Sequence, residues 1–172
     1  MAFQLQHPLA ITMWDFSWLE RRWPGAGQED WDRSLDELQA RGYDAVRLDA
    51  YPHLMAVDPG KTWQLIPEWS VQDWGAPAVT RVQVWPALPE FLRKLRERGM
   101  KAGLSTWFRE DVDRTRMALK GAPDFVRIWS SVLERLEAEG LLDVLLYVDL
   151  CNEFPIEPWA PFLHTGGPYL RN

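Results

Sequence analysis

Short apolar segments alternate with amphipathic segments along most of this sequence, and this alternation restricts the fold more than any other feature. Four apolar segments containing β-branched or aliphatic residues predict strands at residues 9–14, 44–51, 101–107 and 143–150. Three segments with helical apolar spacing, each followed directly by glycine, predict helices at residues 29–41, 89–98 and 124–139. Strand and helix in alternation predict parallel strands joined by right-handed crossovers.

Two further segments carry less regular patterns. Residues 110–120 are expected to form a short helix that ends before a glycine. Residues 53–87 are rich in proline and tryptophan, and we predict a long irregular loop there. Loops of that length are usually functional or disordered, and the tryptophans argue against disorder. Their rings suit either a core for the loop or a flat surface on which a sugar stacks.

Four strands with intervening helices amount to half of an eight-stranded TIM (β/α)8 barrel. A complete barrel typically needs about 250 residues, and this chain has 172. We therefore predict an α/β fold made of the first four strands of such a barrel, with residues 1–172 forming one domain. A flavodoxin-like open sheet is the alternative, but no glycine-rich phosphate loop follows the first predicted strand.

Composition narrows the classes of partner. The net charge is −6 with both signs interspersed, which argues against nucleic acid and anionic membranes as partners. No apolar stretch approaches a membrane span and no secretory signal is visible, so a cytoplasmic protein is expected.

Cys151 is the sole cysteine, which excludes an internal disulfide and predicts a small buried side chain. No histidine stands at ligand spacing to the acidic residues, so neither a metal nor a cofactor is expected.

Polar residues follow a regular pattern on two of the predicted strands. Arg47, Asp49 and Tyr51 share one parity of the second strand, and the fourth strand ends in Asn152 and Glu153. Parallel strands covered on both faces are usually apolar throughout. The polar parity therefore predicts that these side chains line the mouth of a barrel at the carboxyl ends of the strands.

Asn152-Glu153 at the end of the fourth strand, with Arg47 on the second, resembles clan A of the retaining glycoside hydrolases, specifically the cellulase-like proteins. The resemblance covers the strand order of essentially the whole chain. It implies a β-linked glycan or glycoside as substrate, with Glu153 as general acid/base and Asn152 as a hydrogen-bond partner of the sugar 2-hydroxyl. For Asn152-Glu153 alone, a solvated turn is the competing interpretation.

The same resemblance raises the question of the second carboxylate. A retaining glycosidase uses a protonated carboxyl and a nucleophilic carboxylate ~5 to 5.5 Å apart. The family places the nucleophile at the end of strand seven, whereas four strands are predicted here. We therefore expect this chain to be the N-terminal half of the barrel, inactive alone, with a complementary C-terminal half-barrel or a second copy of itself as partner.

Other residues near the predicted strand ends are candidate sugar contacts. Trp14 and Trp107 offer aromatic faces, and His53 follows the second strand. Asp15 fits either a sugar hydroxyl or the cap of a turn. Arg47 and Asp49 fit sugar binding as well as a buried ion pair that joins strands.

Two classes of function remain open at this point. The first is a glycoside hydrolase, or one half of it. The second is a non-catalytic carbohydrate-binding or structural half-barrel, which would keep the cleft without turnover.

Overall fold

A computed structural model of the chain describes residues 9–12, 17–67 and 80–153. Its helices and strands are, in chain order, β1 (Ile11–Thr12), α1 (Trp31–Ala40), β2 (Ala45–Asp49), α2 (Pro52–Met55), β3 (Trp63–Leu65), β4 (Thr80–Val82), α3 (Val84–Glu97), β5 (Lys101–Ser105), α4 (Ala122–Ala138) and β6 (Leu145–Val148). Two 3-10 turns, Thr115–Ala118 and Leu142–Val144, flank α4.

The central sheet has four parallel strands in the order β1-β2-β5-β6. All four predicted strands are present, and the predicted parallel α/β arrangement is confirmed. Consecutive strands of this sheet are neighbours, as in a partial TIM-type unit. Closure into a barrel stays a prediction.

Helices α1, α3 and α4 each end within one residue of the predicted position. The start of α3 differs from the prediction, because the helix begins at Val84 rather than at residue 89. Asp30 caps α1 by accepting a hydrogen bond from the Arg33 amide at 3.0 Å, and Gly42 follows the helix with φ +84°. Trp31 and Leu35 of α1 are buried, and α4 likewise buries one apolar stripe against the core. Within the ranges described above, no helix combines the length and apolarity needed to cross a membrane.

The segment at residues 53–87 is more regular than predicted. Helix α2, the antiparallel hairpin of β3 and β4, and the start of α3 occupy part of it. Elements of three or four residues are too short to show a period, so the sequence pattern could not reveal them. Trp63 is buried and Trp85 packs against the core, whereas Trp69 and Trp74 lie outside the described residues.

The predicted helix at residues 110–120 is wrong over most of its length, because only the 3-10 turn Thr115–Ala118 forms there. Asp111 accounts for the difference. Its carboxylate accepts the Asp113 amide at 3.0 Å, the Thr115 amide at 2.7 Å and the Thr115 hydroxyl at 2.9 Å. Such local side-chain bonds compete with the helical backbone pattern, and Arg114 adopts φ +56° between them.

One glycine on β5 is required by its neighbour across the sheet. Arg47 of β2 pairs in register with Gly103 of β5, which pairs with Tyr147 of β6. The Tyr147 ring lies over the glycine, because a Cβ added at Gly103 would overlap Cζ and Oη and lie 2.8 Å from Cε1. The missing side chain therefore makes room for the ring on the face that carries Arg47.

We expect Gly103→Ala to lower the free energy of unfolding by ~1 to 3 kcal/mol, since the new methyl group forces the Tyr147 ring off the strand. Gly60→Ala is the control, because the nearest atom to a Cβ there is Asp58 Oδ1 at 3.7 Å. Urea denaturation measures both variants. Equal stability of the two would show that the ring does not lie over Gly103.

Candidate functional site

The guanidinium of Arg47 joins the ends of three parallel strands. Its Nη2 lies 2.9 Å from Ser105 Oγ and 2.6 Å from Asn152 Oδ1, and it forms an ion pair with Asp149. Ser105 Oγ also donates to Asp149 at 2.8 Å. The structure thus brings together Arg47 and Asn152, two residues that the sequence nominated, and adds Ser105 and Asp149.

The predicted alternative of an Arg47–Asp49 ion pair is corrected by this geometry, since Asp149 is the acidic partner that the structure gives Arg47. Asp49 instead bonds backbone groups. Its Oδ1 accepts the Tyr51 amide at 2.7 Å and its Oδ2 accepts the Trp107 amide at 2.9 Å. Asp49 therefore links the end of β2 to the segment that follows β5.

Three residues with left-handed backbone conformation follow three neighbouring strands. Tyr51 after β2 has φ +46°, Phe108 after β5 has φ +49° and Glu153 after β6 has φ +53°. Such conformations typically cost non-glycine residues about 1 to 3 kcal/mol, and they cluster at functional sites. Glu153 is exposed directly after the buried Asn152. Its assignment as acid/base stays a prediction.

A second polar cluster is buried beside Asp49. Glu20, in the turn after β1, accepts hydrogen bonds from Arg109 Nη2 at 3.2 Å and from Thr80 Oγ1 at 3.1 Å. The side chains of Glu20 and Arg109 are 4% and 5% exposed. The sequence indicated neither residue, because each lies in a charged stretch typical of solvated loops and nothing local signals burial.

Burial controls the protonation of this cluster. Desolvation raises the pKa of Glu20, while the Arg109 charge opposes the increase. Desolvation also raises the pKa of Asp49 to about 7, with the Glu20 charge adding to the effect. The pKa of Tyr51 is well above its usual value for the same reasons. Burial thus raises the pKa values of both carboxyl groups, and that of Asp49 reaches about 7.

The other predicted sugar contacts occupy different environments. His53 is 1% exposed, its Nε2 lies 3.0 Å from the Arg109 carbonyl oxygen, and burial lowers its pKa to about 4. Tyr51 is also fully buried, so both side chains lie beneath the surface. Trp107 is half-buried. Trp14 and Asp15 lie outside the described residues.

The single cysteine and an open groove do not contribute to this cluster. Cys151 is buried as predicted, and desolvation raises the pKa of its thiol to about 12. A groove of about 520 Å³ runs along α4 next to Ala56, and its lining includes Arg127, Glu134 and Arg135. None of the strand-end residues described above lines it.

Active sites of (β/α) barrel enzymes lie at the carboxyl ends of the strands, and backbone strain clusters at functional sites. This chain has its buried Arg47, the Asn152-Glu153 pair and its strained residues at that end of the sheet. Residues 11–169 match the sugar-binding cellulase-like family, and the chain belongs to this family. This confirms the resemblance noted in the sequence.

A solved structure extends the comparison. A candidate glycoside hydrolase from Parabacteroides distasonis ATCC 8503 is 55% identical to the chain, with a TM-score of 0.88. The match covers 95% of this chain and 43% of that one, so the chain spans less than half the length of the protein it resembles. No curated protein matches the sequence.

We expect the burial of Asp49 to make stability fall as pH rises. Its pKa in the folded protein, about 7, exceeds the usual aspartate value of 3.8. Its stabilising effect is therefore complete below the unfolded pKa and is lost as pH rises through 7. His53 has the opposite dependence at lower pH, because its folded pKa is depressed.

Comparing the wild-type protein with Asp49→Asn isolates the effect of Asp49. The stability advantage of the wild-type protein over the variant should shrink between pH 5 and 8, as measured by urea denaturation. Asp113→Asn, at an exposed position, is the control and should show no such change. An advantage for Asp49 that is constant over this range would contradict the expectation.

Proposed function

We propose that this chain forms the acid/base half of a retaining glycoside hydrolase that acts on β-linked glycans. The observation that carries the proposal is the contact between Arg47 and Asn152 at the strand ends, with Glu153 next in the chain. The family and the similar solved structure support a glycoside hydrolase-like protein. The barrel, the linkage and the retaining mechanism are parts of the proposal.

The proposed role of Asn152 follows from its hydrogen bonds. Its side-chain Oδ1 accepts a hydrogen bond from Arg47 at 2.6 Å, and its backbone amide donates to the Thr106 carbonyl oxygen at 3.0 Å. Because Arg47 can only donate, the oxygen of the side-chain amide must face the guanidinium. The Nδ2 group then points away from Arg47 as a donor, which suits a sugar hydroxyl.

The proposed role of Glu153 depends on its exposure. An acid/base residue must reach the glycosidic oxygen and then a water molecule, and the exposed side chain after β6 can meet both. The half-buried ring of Trp107 offers an apolar face for a sugar. Asp49, Tyr51 and His53 support the site from beneath in this proposal.

The nucleophile completes the mechanism. It attacks the anomeric carbon from the opposite face of the sugar while Glu153 protonates the leaving oxygen, and water then releases the glycosyl-enzyme with Glu153 acting as base. We assign the nucleophile to a seventh barrel strand in a complementary C-terminal half, as the resemblance to the retaining glycoside hydrolases implies. The similar protein is long enough to contain such a half, since this chain covers 43% of it. A second copy of the chain is the alternative partner.

A carbohydrate-binding function without turnover is the second candidate. The description of the family as sugar-binding favours it. The two functions share the same strand-end cluster and differ in whether a bound glycoside is cleaved.

A chimera tests the proposal. This chain replaces the matching region of the Parabacteroides distasonis protein, and the chain alone, the chimera and the parent protein are assayed on aryl β-glycosides and unactivated β-linked oligosaccharides. We expect negligible hydrolysis by the chain alone and turnover by the chimera. In the chimera, Glu153→Gln should lower turnover of the unactivated substrates ~10²- to 10⁴-fold, the usual contribution of general acid–base catalysis.

The controls separate the alternatives. Activated aryl glycosides should lose less activity in Glu153→Gln, because their leaving groups need little protonation. Glu134→Gln, at an exposed glutamate of α4, should leave turnover unchanged. Full activity of the Glu153→Gln chimera on unactivated oligosaccharides would reject Glu153 as the acid, and binding without turnover by the chimera would favour the sugar-binding function.

A further inference from the structure

Residues 106–109, which follow β5, are held from several neighbouring elements. This segment, here called the β5 extension, is bonded at every residue. The bonds are Asn152 N to Thr106 O (3.0 Å), Trp107 N to Asp49 Oδ2 (2.9 Å), Arg116 Nη1 to Phe108 O (3.0 Å) and His53 Nε2 to Arg109 O (3.0 Å). Partners from the ends of β2 and β6 therefore meet on one short stretch of chain.

The Arg109 side chain connects the β5 extension to the turn after β1. Its guanidinium bonds Glu20 in the turn after β1, and Glu20 also accepts from Thr80 at the start of β4. Glu20 thereby links the turn after β1, the β3–β4 hairpin and the β5 extension. All three lie beyond the carboxyl end of β1, β2 or β5, which is where the candidate sugar site lies.

We propose that Glu20 and Arg109 are positioning residues of the candidate sugar site. Their buried ion pair holds the β5 extension in the place where it presents the Trp107 ring and fixes the Asn152 backbone. Neither residue touches the sugar in this proposal. It rests on the proposed function for its ligand, whereas the position of the β5 extension can be measured without any ligand.

Stability alone does not account for this pair. Removing two charges from water costs free energy that their attraction repays only in part, so replacing a buried ion pair by apolar residues of similar volume is often neutral or stabilising. Removing one partner is instead strongly destabilising. What apolar residues cannot supply is the directional contact between Glu20, Thr80 and Arg109, which sets where the three segments lie.

Because apolar residues can replace the stability of the pair but not its directional contacts, an apolar variant tests the positioning role apart from stability. The triple variant Glu20→Leu, Thr80→Val, Arg109→Met replaces the buried polar group by apolar side chains of similar size. We expect a midpoint of thermal unfolding equal to or above that of the wild-type protein. Hydrogen exchange at the Trp107 and Asn152 amides should nevertheless accelerate at least 10-fold, while the amides of α4 keep their protection.

Sugar binding gives the second readout. Cellotetraose is the probe, and its affinity, measured by calorimetry on the chimera described above, should fall at least 10-fold in the triple variant. The matched control replaces an exposed ion pair of the same region, Lys61–Asp113, by Lys61→Met and Asp113→Leu. That control should change neither amide exchange nor affinity.

The outcomes are distinct. Unchanged exchange at Trp107 and Asn152 in a folded triple variant would overturn the proposal, and faster exchange supports it. A wild-type chimera that binds no cellotetraose, with faster exchange in the variant, would count against the proposed function and leave the positioning role supported. If the triple variant does not fold, Arg109→Lys decides: it keeps the charge but loses the planar guanidinium, and normal exchange at both amides would overturn the proposal.

Discussion

The buried charge of Arg47 is the constraint on which the strand ends depend. A guanidinium with little exposure must be matched by an anion and by hydrogen-bond acceptors. Asp149, Ser105 and Asn152 meet this need, and they come from the ends of β5 and β6. Burying one arginine on β2 therefore fixes the relative positions of three strand ends and orients the side-chain amide of Asn152, the residue before Glu153.

A second buried ion pair extends the same principle to the loops. Arg109 and Glu20 connect the segments beyond β5 and β1, and Asp49 connects β2 to the Trp107 amide. Both clusters meet in the β5 extension, where the Asn152 amide bonds the Thr106 carbonyl. A proposed sugar site on this edge would thus rest on charged groups that contribute to its shape without facing solvent.

The sequence predicted the parts of the fold that lie in long apolar segments or have apolar residues at a regular spacing. The four parallel strands lie within longer apolar segments, and α1 and α4 have apolar residues at helical spacing with a glycine after each helix. The short α2 and the β3–β4 hairpin have no room for a period and were missed. The helix expected at residues 110–120 failed because Asp111 bonds its own backbone neighbours.

The residues of the candidate site likewise divide into those that the sequence could indicate and those that it could not. Arg47 and Asn152 could be nominated because the parity of a strand and a family motif are local signals. Glu20 and Arg109 could not be nominated, since the two residues lie 89 positions apart in the chain and only the folded structure shows that both are buried. Gly103 also gave no signal, because its role comes from the Tyr147 ring on the next strand.

The most direct test of the central claim is a crystal structure of the chimera carrying Glu153→Gln, soaked with a β-linked oligosaccharide. The account predicts a sugar at the carboxyl ends of β2, β5 and β6, with a hydroxyl bonded to Asn152 Nδ2 and the glycosidic oxygen beside residue 153. An oligosaccharide bound instead in the groove along α4, with the strand ends empty, would contradict it.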